Sequence, residues 1–281
     1  MSQVLQEITA CIGQPVAGNP TQYVMEKAYA KAGLDWRYLT LEVPAAGLTD
    51  AVRGMRALGF RGFNCTRPHK CTVIPLLDGT TQAAGLTGAV NCVFREGEKL
   101  IGENTDGKGF VESLRTLIDP LGKRVVILGA GGAARAIAVE LGLSHVSHLT
   151  IVNRSAERGQ ELASLVHEKL SVPTDFVAWN GDYAIPAEAE VLINGTSIGL
   201  FDSSARVPVD VNTHRAGRIV ADVVFSPVDT RFLREARERG ATTLDGLGML
   251  VNQARLNFKI WTGVEPDAEL MRDALEEYLC V

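Results

Sequence analysis

The sequence predicts an α/β protein of two domains, and three observations carry the prediction. Short apolar runs alternate with helical stretches along the chain, the pattern of α/β units with parallel strands. The length, 281 residues, exceeds one typical domain. The run Gly129-Ala130-Gly131-Gly132-Ala133-Ala134 stands directly between an apolar run and a helical stretch, the setting in which a glycine fingerprint carries weight. That run makes the second domain Rossmann-like.

In chain order, residues 8–12 form a strand ending at Gly13-Gln14-Pro15, and 21–32 a helix stopped by Gly33. Residues 38–43 are a second strand, and 48–58 a helix with apolar residues at helical spacing. Gly62–Cys65 is a third strand; residues 68–77 are a short helix bent at Pro75. Residues 89–94 and Lys99–Glu103 read as a hairpin around Arg95-Glu96-Gly97-Glu98. The helix at 107–117 leads into the second domain. There the strand Arg124–Leu128, the glycine turn and a helix at 133–143 follow in order. A strand at 149–152 precedes the helix Ala156–Leu170, whose charges lie on one side. Further strands fall at 174–179, Val191–Asn194, 219–224 and Thr242–Leu244, with a helix at 230–239. Residues 249–261 and Ala268–Leu279 close the chain as two helices.

Composition narrows the function. Hydrophobic residues make up 46% and charged residues 22%, ordinary for a soluble globular protein. The net charge of −5 argues against a nucleic-acid partner, which would favour a clustered basic surface. No apolar run approaches the roughly 18–20 residues that span a bilayer, and residues 1–15 lack the basic start of a signal peptide. Cys11, Cys65, Cys71, Cys92 and Cys280 are odd in number and contain no C-x-x-C. A reducing cytoplasm is the simplest location. His69, His145, His148, His167 and His214 form no cluster at ligand spacing. His145 and His148, in a loop, read as surface histidines, so no metal is expected.

The glycine run predicts a dinucleotide site. Gly129 permits the tight turn, Gly131 lets the backbone approach a pyrophosphate, and Gly132 and Ala133 open the helix whose N–H groups face the phosphates. Ala130 lies within the turn and Ala134 replaces the third glycine. The next strand ends in Val152-Asn153-Arg154-Ser155, with Arg158 one turn later. An NAD site usually carries an acid there for the ribose 2′-OH; an NADP site carries a basic residue for the 2′-phosphate. No acid stands at this strand tip, so NADP is the expected cofactor, with NAD possible. The alternative is that Arg154 and Arg158 are ordinary surface charges.

Upstream, Gly62-Phe63-Asn64-Cys65-Thr66-Arg67-Pro68-His69-Lys70 places a lysine just inside a helix, after two hydrogen-bonding side chains. Gly88-Ala89-Val90-Asn91 and Asn104-Thr105-Asp106-Gly107 add further polar groups. A lysine, a carboxylate and neutral donors suffice to grip a polyhydroxylated substrate and move one proton. Singly, Lys70 reads equally as a solvated lysine and Asp106 as a helix cap. His69 reads as exposed or structural, since adjacent helix residues do not share a face. Cys65 alternates away from Asn64 and Thr66 and reads as core.

In this order the runs resemble the shikimate dehydrogenase family. Its G-F-N-x-T-x-P-x-K stands at 62–70, G-A-x-N at 88–91, N-T-D-x-x-G at 104–109 and G-A-G-G-A-x-x-A at 129–136. Asn153-Arg154-Ser155, Asn194-Gly195-Thr196-Ser197 and Gly246-Leu247-Gly248-Met249-Leu250 with Gln253 match later motifs, so the resemblance spans nearly the whole chain. It implies NADP-dependent interconversion of 3-dehydroshikimate and shikimate or a close analogue, with Lys70 as acid/base and Asp106 as its partner. It also implies substrate contacts from Asn64, Thr66, Asn91 and Gln253. The cofactor site would include Asn153, Arg154, Ser155, Arg158, Thr196, Ser197, Val224, Gly246 and Met249. The domains would be 1–105, to which helices 247–281 return, and 106–246, with a cleft between them and a monomeric or homodimeric state.

Two positions depart from the family. Its carboxylate-binding H-S-x-S-P falls on Gly18-Asn19-Pro20-Thr21-Gln22, so Asn19 and Thr21 replace both serines. Phe225 stands where tyrosine is usual and removes a hydroxyl from the substrate set. Asn19 and Thr21 still offer a carboxylate hydrogen bonds, or they cap a helix. Quinate or another cyclic hydroxy acid therefore stays open as substrate. So do a methylenetetrahydrofolate dehydrogenase, for which the compact polar set suits a large pterin poorly, and a non-catalytic NADP-binding paralogue.

Overall fold

A computed structural model of the chain describes residues 5–280. The first elements are β1 (Glu7–Gly13), α1 (Thr21–Lys31), β2 (Trp36–Glu42), α2 (Leu48–Ala57) and β3 (Gly62–Cys65). They continue through α3 (His69–Thr72), β4 (Gly79–Thr80), α4 (Gln82–Thr87), β5 (Cys92–Glu96) and β6 (Lys99–Glu103). Next come α5 (Thr105–Leu114), β7 (Arg124–Leu128), α6 (Gly132–Leu143), β8 (His148–Asn153), α7 (Ala156–Leu170) and β9 (Thr174–Ala178). The chain closes with β10 (Val191–Asn194), β11 (Ile219–Asp222), α8 (Arg231–Arg237), β12 (Thr242–Leu244), α9 (Leu247–Thr262) and α10 (Ala268–Leu279). Two compact units result: the chain up to Thr105 with everything from Gln253, and Asp106–Asn252. The single helix α9 crosses that division.

The first unit is built on a sheet of order β2-β1-β3-β5-β6-β4. β1 pairs in parallel with β2 and β3, whereas β3–β5 and β5–β6 are antiparallel. The hairpin expected around Gly97, which has φ +59°, is what makes this sheet mixed. Ile12, Phe63, Val93 and Leu100 fill its core with Val52 and Met55 of α2. The expected helix at 68–77 is shorter: α3 ends at Thr72 and a 3-10 turn, Ile74–Leu76, follows. Pro75 has no N–H to continue the ladder. β4 and α4 were not foreseen; Thr81 caps α4 by accepting the Ala84 N–H at 3.3 Å, and Gly88 ends it at φ +68°.

The second unit is a wholly parallel sheet of order β12-β11-β10-β7-β8-β9. Val125, Ile127, Leu149, Ile151, Val191 and Ile193 fill the core on one face; Val126, Leu128, Val152, Leu192 and Val220 fill it on the other. Burial on both faces explains why these strands read as continuous apolar runs. Sequence order reverses between β7 and β10, the switch point at which such sheets bind ligands beyond their carboxyl ends. His148 is not in a loop but is the first residue of β8, with Nε2 3.0 Å from Oδ2 of Asp175. Among the described residues, no group of three or more His, Cys, Asp or Glu is placed to hold a metal. Among the described residues, no helix is long and apolar enough to cross a membrane.

Candidate active site

Beyond the carboxyl ends of β7, β8, β10 and β11 the second unit holds a cavity of about 400 Å³. Gly129–Ala133 form its floor, Asn153, Arg154 and Arg158 one wall, and Thr196, Ser197, Val224 and Phe225 another. Gly129 sits at φ +109°, and a Cβ there would lie 2.9 Å from the Thr196 side chain, so only glycine fits. A Cβ on Gly131 or Gly132 would meet nothing within 4 Å. The floor is therefore bare backbone at the start of α6, where unpaired N–H groups and the helix dipole favour phosphate. Arg154 and Arg158 are exposed on the wall at the β8 tip, and no carboxylate lines that side. The shape and charge suit a dinucleotide with a 2′-phosphate.

Not every residue expected in this site lines the cavity. Ser155 caps α7 by accepting the Arg158 N–H at 3.4 Å. Gly246 lies under Val224: a Cβ on it would come 2.4 Å from the Val224 carbonyl oxygen. Met249 packs on the core beneath the sheet. Phe225, expected against the substrate, lines the dinucleotide cavity, its ring edge-on to Phe201 with centroids 6.4 Å apart.

Asp222 was missed, yet it organises the wall that carries Thr196 and Val224. It is 1% exposed at the end of β11. Its Oδ1 accepts from Asn194 Nδ2 at 2.9 Å and from the Val224 N–H at 3.0 Å; its Oδ2 accepts from the Thr230 hydroxyl at 2.7 Å. Asn194 in turn accepts from the N–H and hydroxyl of Thr196. Burial pushes the Asp222 carboxyl up to about 6 against these three donors. The sequence signal was present: an aspartate closing an apolar strand has no apolar reason to be there.

The first unit gathers the other polar residues at the carboxyl ends of β1 and β3. The Thr66 N–H bonds the Ile12 carbonyl at 2.9 Å, and a Cβ on Gly13 would strike its methyl. Lys70, in α3, accepts the Val90 N–H on its carbonyl at 2.7 Å, which seats it next to Asn91. Tyr38 donates to Asn64 Oδ1 at 2.7 Å, and Asn64 Nδ2 donates to the Asn91 carbonyl at 2.8 Å. Asn91 Oδ1 accepts the Thr105 N–H at 2.7 Å; the Thr105 hydroxyl donates to Asn257 Oδ1 at 2.7 Å; Asn257 Nδ2 donates to Gln253 Oε1 at 3.1 Å. Asn64, Asn91 and Gln253 thus belong to one hydrogen-bonded set, with Tyr38, Thr105 and Asn257 as unforeseen links. Gln253 and Asn257, four residues apart on α9, share a helix face, a spacing that could have revealed the pair. Asp106 follows Thr105 in the first turn of α5. His69 is fully buried, Nε2 on the Val43 carbonyl at 2.7 Å, so it is structural rather than exposed. Asn19 turns inward: Oδ1 accepts the Thr21 N–H at 2.9 Å and Nδ2 approaches Cys11 Sγ at 3.8 Å.

A parallel sheet with a bare glycine floor, joined to a mixed-sheet unit carrying a lysine among amides, defines a two-domain dinucleotide-dependent oxidoreductase fold. Three family profiles match in succession: the shikimate dehydrogenase substrate-binding domain at residues 11–93, shikimate/quinate 5-dehydrogenase at 114–198 and the shikimate 5′-dehydrogenase C-terminal domain at 246–276. The shikimate dehydrogenase (NADP(+)) of Methanopyrus kandleri is 40% identical over 97% of this chain and 96% of its own. A ligand-free structure of the 5-ketofructose reductase of Gluconobacter sp. strain CHM43 is 48% identical, with a TM-score of 0.96 over 98% of this chain and 99% of its own. A shikimate dehydrogenase solved with NADP+ is 35% identical, with a TM-score of 0.90 over 99% and 98%. The chain belongs to the shikimate dehydrogenase family.

Proposed function

We propose that the protein is an NADP-dependent oxidoreductase that interconverts 3-dehydroshikimate and shikimate, or a close analogue. The second unit binds NADP(H) and the first binds the substrate. One observation carries the reading: the first unit holds Asn64, Asn91 and Gln253 in one hydrogen-bonded set with Lys70 seated next to Asn91. Amides fixed in this way suit a polyhydroxylated ring, and the lysine suits proton exchange at the reacting oxygen. Gly131, Gly132 and the start of α6 would hold the pyrophosphate, Arg154 and Arg158 the 2′-phosphate. When bound, the cofactor supplies or accepts the hydride. In the reducing direction Lys70 gives its proton to the forming alkoxide, and Asp106 orients the ammonium. Thr66 helps hold the substrate or Lys70. The five free cysteines fit a reducing cytoplasm, and a monomer or homodimer completes the reading.

A second reading has its own observation. Asn19, in place of the first serine, turns its amide onto the Thr21 N–H and the Cys11 sulfur, so of the pair's two side-chain donors only the Thr21 hydroxyl is left for a carboxylate. That favours a neutral keto sugar, in line with the 48% identity to a 5-ketofructose reductase. NADPH oxidation with 3-dehydroshikimate and with 5-ketofructose, alongside NADP+ reduction with shikimate and quinate, decides between them. Turnover of the cyclic acids supports the first reading, and turnover of 5-ketofructose alone the second. Silence with all four sinks both.

A further inference from the structure

We propose that Tyr38 is a positioning residue that fixes the Asn64 amide with its N–H facing the substrate, so that this corner of the site recognises an oxygen acceptor. The inference rests on the first unit's being the substrate-binding unit.

The orientation of Asn64 follows from its partners. The Asn91 backbone carbonyl can only accept, so the atom 2.8 Å from it must be Nδ2. Oδ1 then faces the Tyr38 hydroxyl at 2.7 Å, which must spend its single proton there. Tyr38 is 0% exposed and Asn64 7%, so water does not substitute for either partner. Burial holds the Tyr38 hydroxyl well above its usual range, so it stays a donor across the working pH range. One Nδ2 hydrogen of Asn64 is used by Asn91, which leaves the second to present to a ligand. Flipping the amide would set Oδ1 against the Asn91 carbonyl oxygen, a pairing of two acceptors. Sheet register supplies the placement: β1 lies between β2 and β3, with Thr9 opposite Tyr38 on one side and Cys11 opposite Asn64 on the other.

Tyr38→Phe keeps the ring and removes the donor. The expected result is a KM for the turned-over substrate about 10-fold higher, with kcat and the Kd for NADPH within about 2-fold of wild type, since one lost neutral hydrogen bond corresponds to roughly that factor. In an Asn64→Ala background Tyr38→Phe changes KM no further. A KM unmoved by Tyr38→Phe, or moved equally in both backgrounds, overturns the assignment. A second readout needs no turnover. The Asn64 side-chain amide protons, identified by their loss in Asn64→Ala, appear in wild type as two separate slowly exchanging NMR signals. In Tyr38→Phe they merge or exchange faster. Unchanged signals overturn the proposal even if the wild type turns over none of the four substrates, an outcome that sinks the functional reading alone.

Discussion

Lys70 is the residue on which the proposed chemistry turns. A proton donor positioned at a reacting oxygen is worth about 10²–10⁴ in rate. Lys70→Ala is therefore expected to lower kcat by that factor while the Kd for NADPH, followed by nucleotide fluorescence, stays the same. A Kd that rises in parallel with the loss of kcat would place Lys70 in cofactor binding instead. Arg154 makes the complementary case. Its guanidinium is exposed on the cavity wall at the β8 tip, where a fork of donors matches a phosphate. Arg154→Ala should raise the KM for NADPH about 10–100-fold and leave that for NADH within about 2-fold, a loss of one charge-assisted contact of roughly 1.5–3 kcal/mol. Equal effects on both cofactors would refute the 2′-phosphate assignment. At this scale the sequence shows polar residues that interrupt apolar runs, as Asn64 and Asn91 do. It does not show Tyr38, which reads as one more aromatic in a strand until the register of β1, β2 and β3 sets its hydroxyl on Asn64. His69 was ambiguous because four residues of α3 give no helical period to read.

Asp222 works at the scale of elements: it ties the ends of β10 and β11 to the start of α8 through Asn194, Val224 and Thr230. The turns that follow β10 and β11 carry Thr196, Ser197, Val224 and Phe225 to the cavity. Asp222→Ala leaves three buried donors without an acceptor, a loss of roughly 2–4 kcal/mol in stability, and loosens the turns that form this wall. Urea unfolding should show that loss, with a KM for NADPH raised at least several-fold; Asp222→Asn, which still accepts through Oδ1, should be milder on both. A cofactor KM untouched by Asp222→Ala would confine the residue to stability. Whole elements were legible where one physical cause dominates. β7, the glycine turn and α6 follow from an apolar run, a φ that only glycine tolerates and helix-forming residues. β4, two residues long, and α4, six residues long, carry too little periodicity to be seen. Only the cap Thr81 and the terminator Gly88 mark α4.

At the scale of the whole molecule, two buried groups of opposite sign in the second unit contribute to the dependence of stability on pH. His214, packed edge-on against Phe232, is driven down to about 4 by burial and then by Arg218 and Arg239, against weaker opposing effects of Glu235 and Asp210. In the unfolded chain it titrates near 6.5. Between those values the unfolded state binds more protons, so the contribution of His214 is complete above pH 6.5 and is lost as pH falls through 4. Asp222 moves the other way, from 3.8 up to about 6. There the folded state binds more protons, so stability is gained as pH falls from 6 towards 3.8 and lost on the way back. Each shift corresponds to about 3 kcal/mol at most, so over pH 4–6 the two largely offset each other. Single variants uncover them. Relative to wild type at each pH, His214→Gln should gain stability as pH falls from 7 to 4.5, because the penalty of charging a buried imidazole is gone. Asp222→Asn should lose stability over the same interval, because the native carboxyl no longer takes up its proton. Urea unfolding at pH 7, 5.5 and 4.5 measures both differences, and reading them against wild type cancels the exposed carboxylates common to all three proteins. Differences of the same sign for the two variants would show that the two groups do not oppose each other.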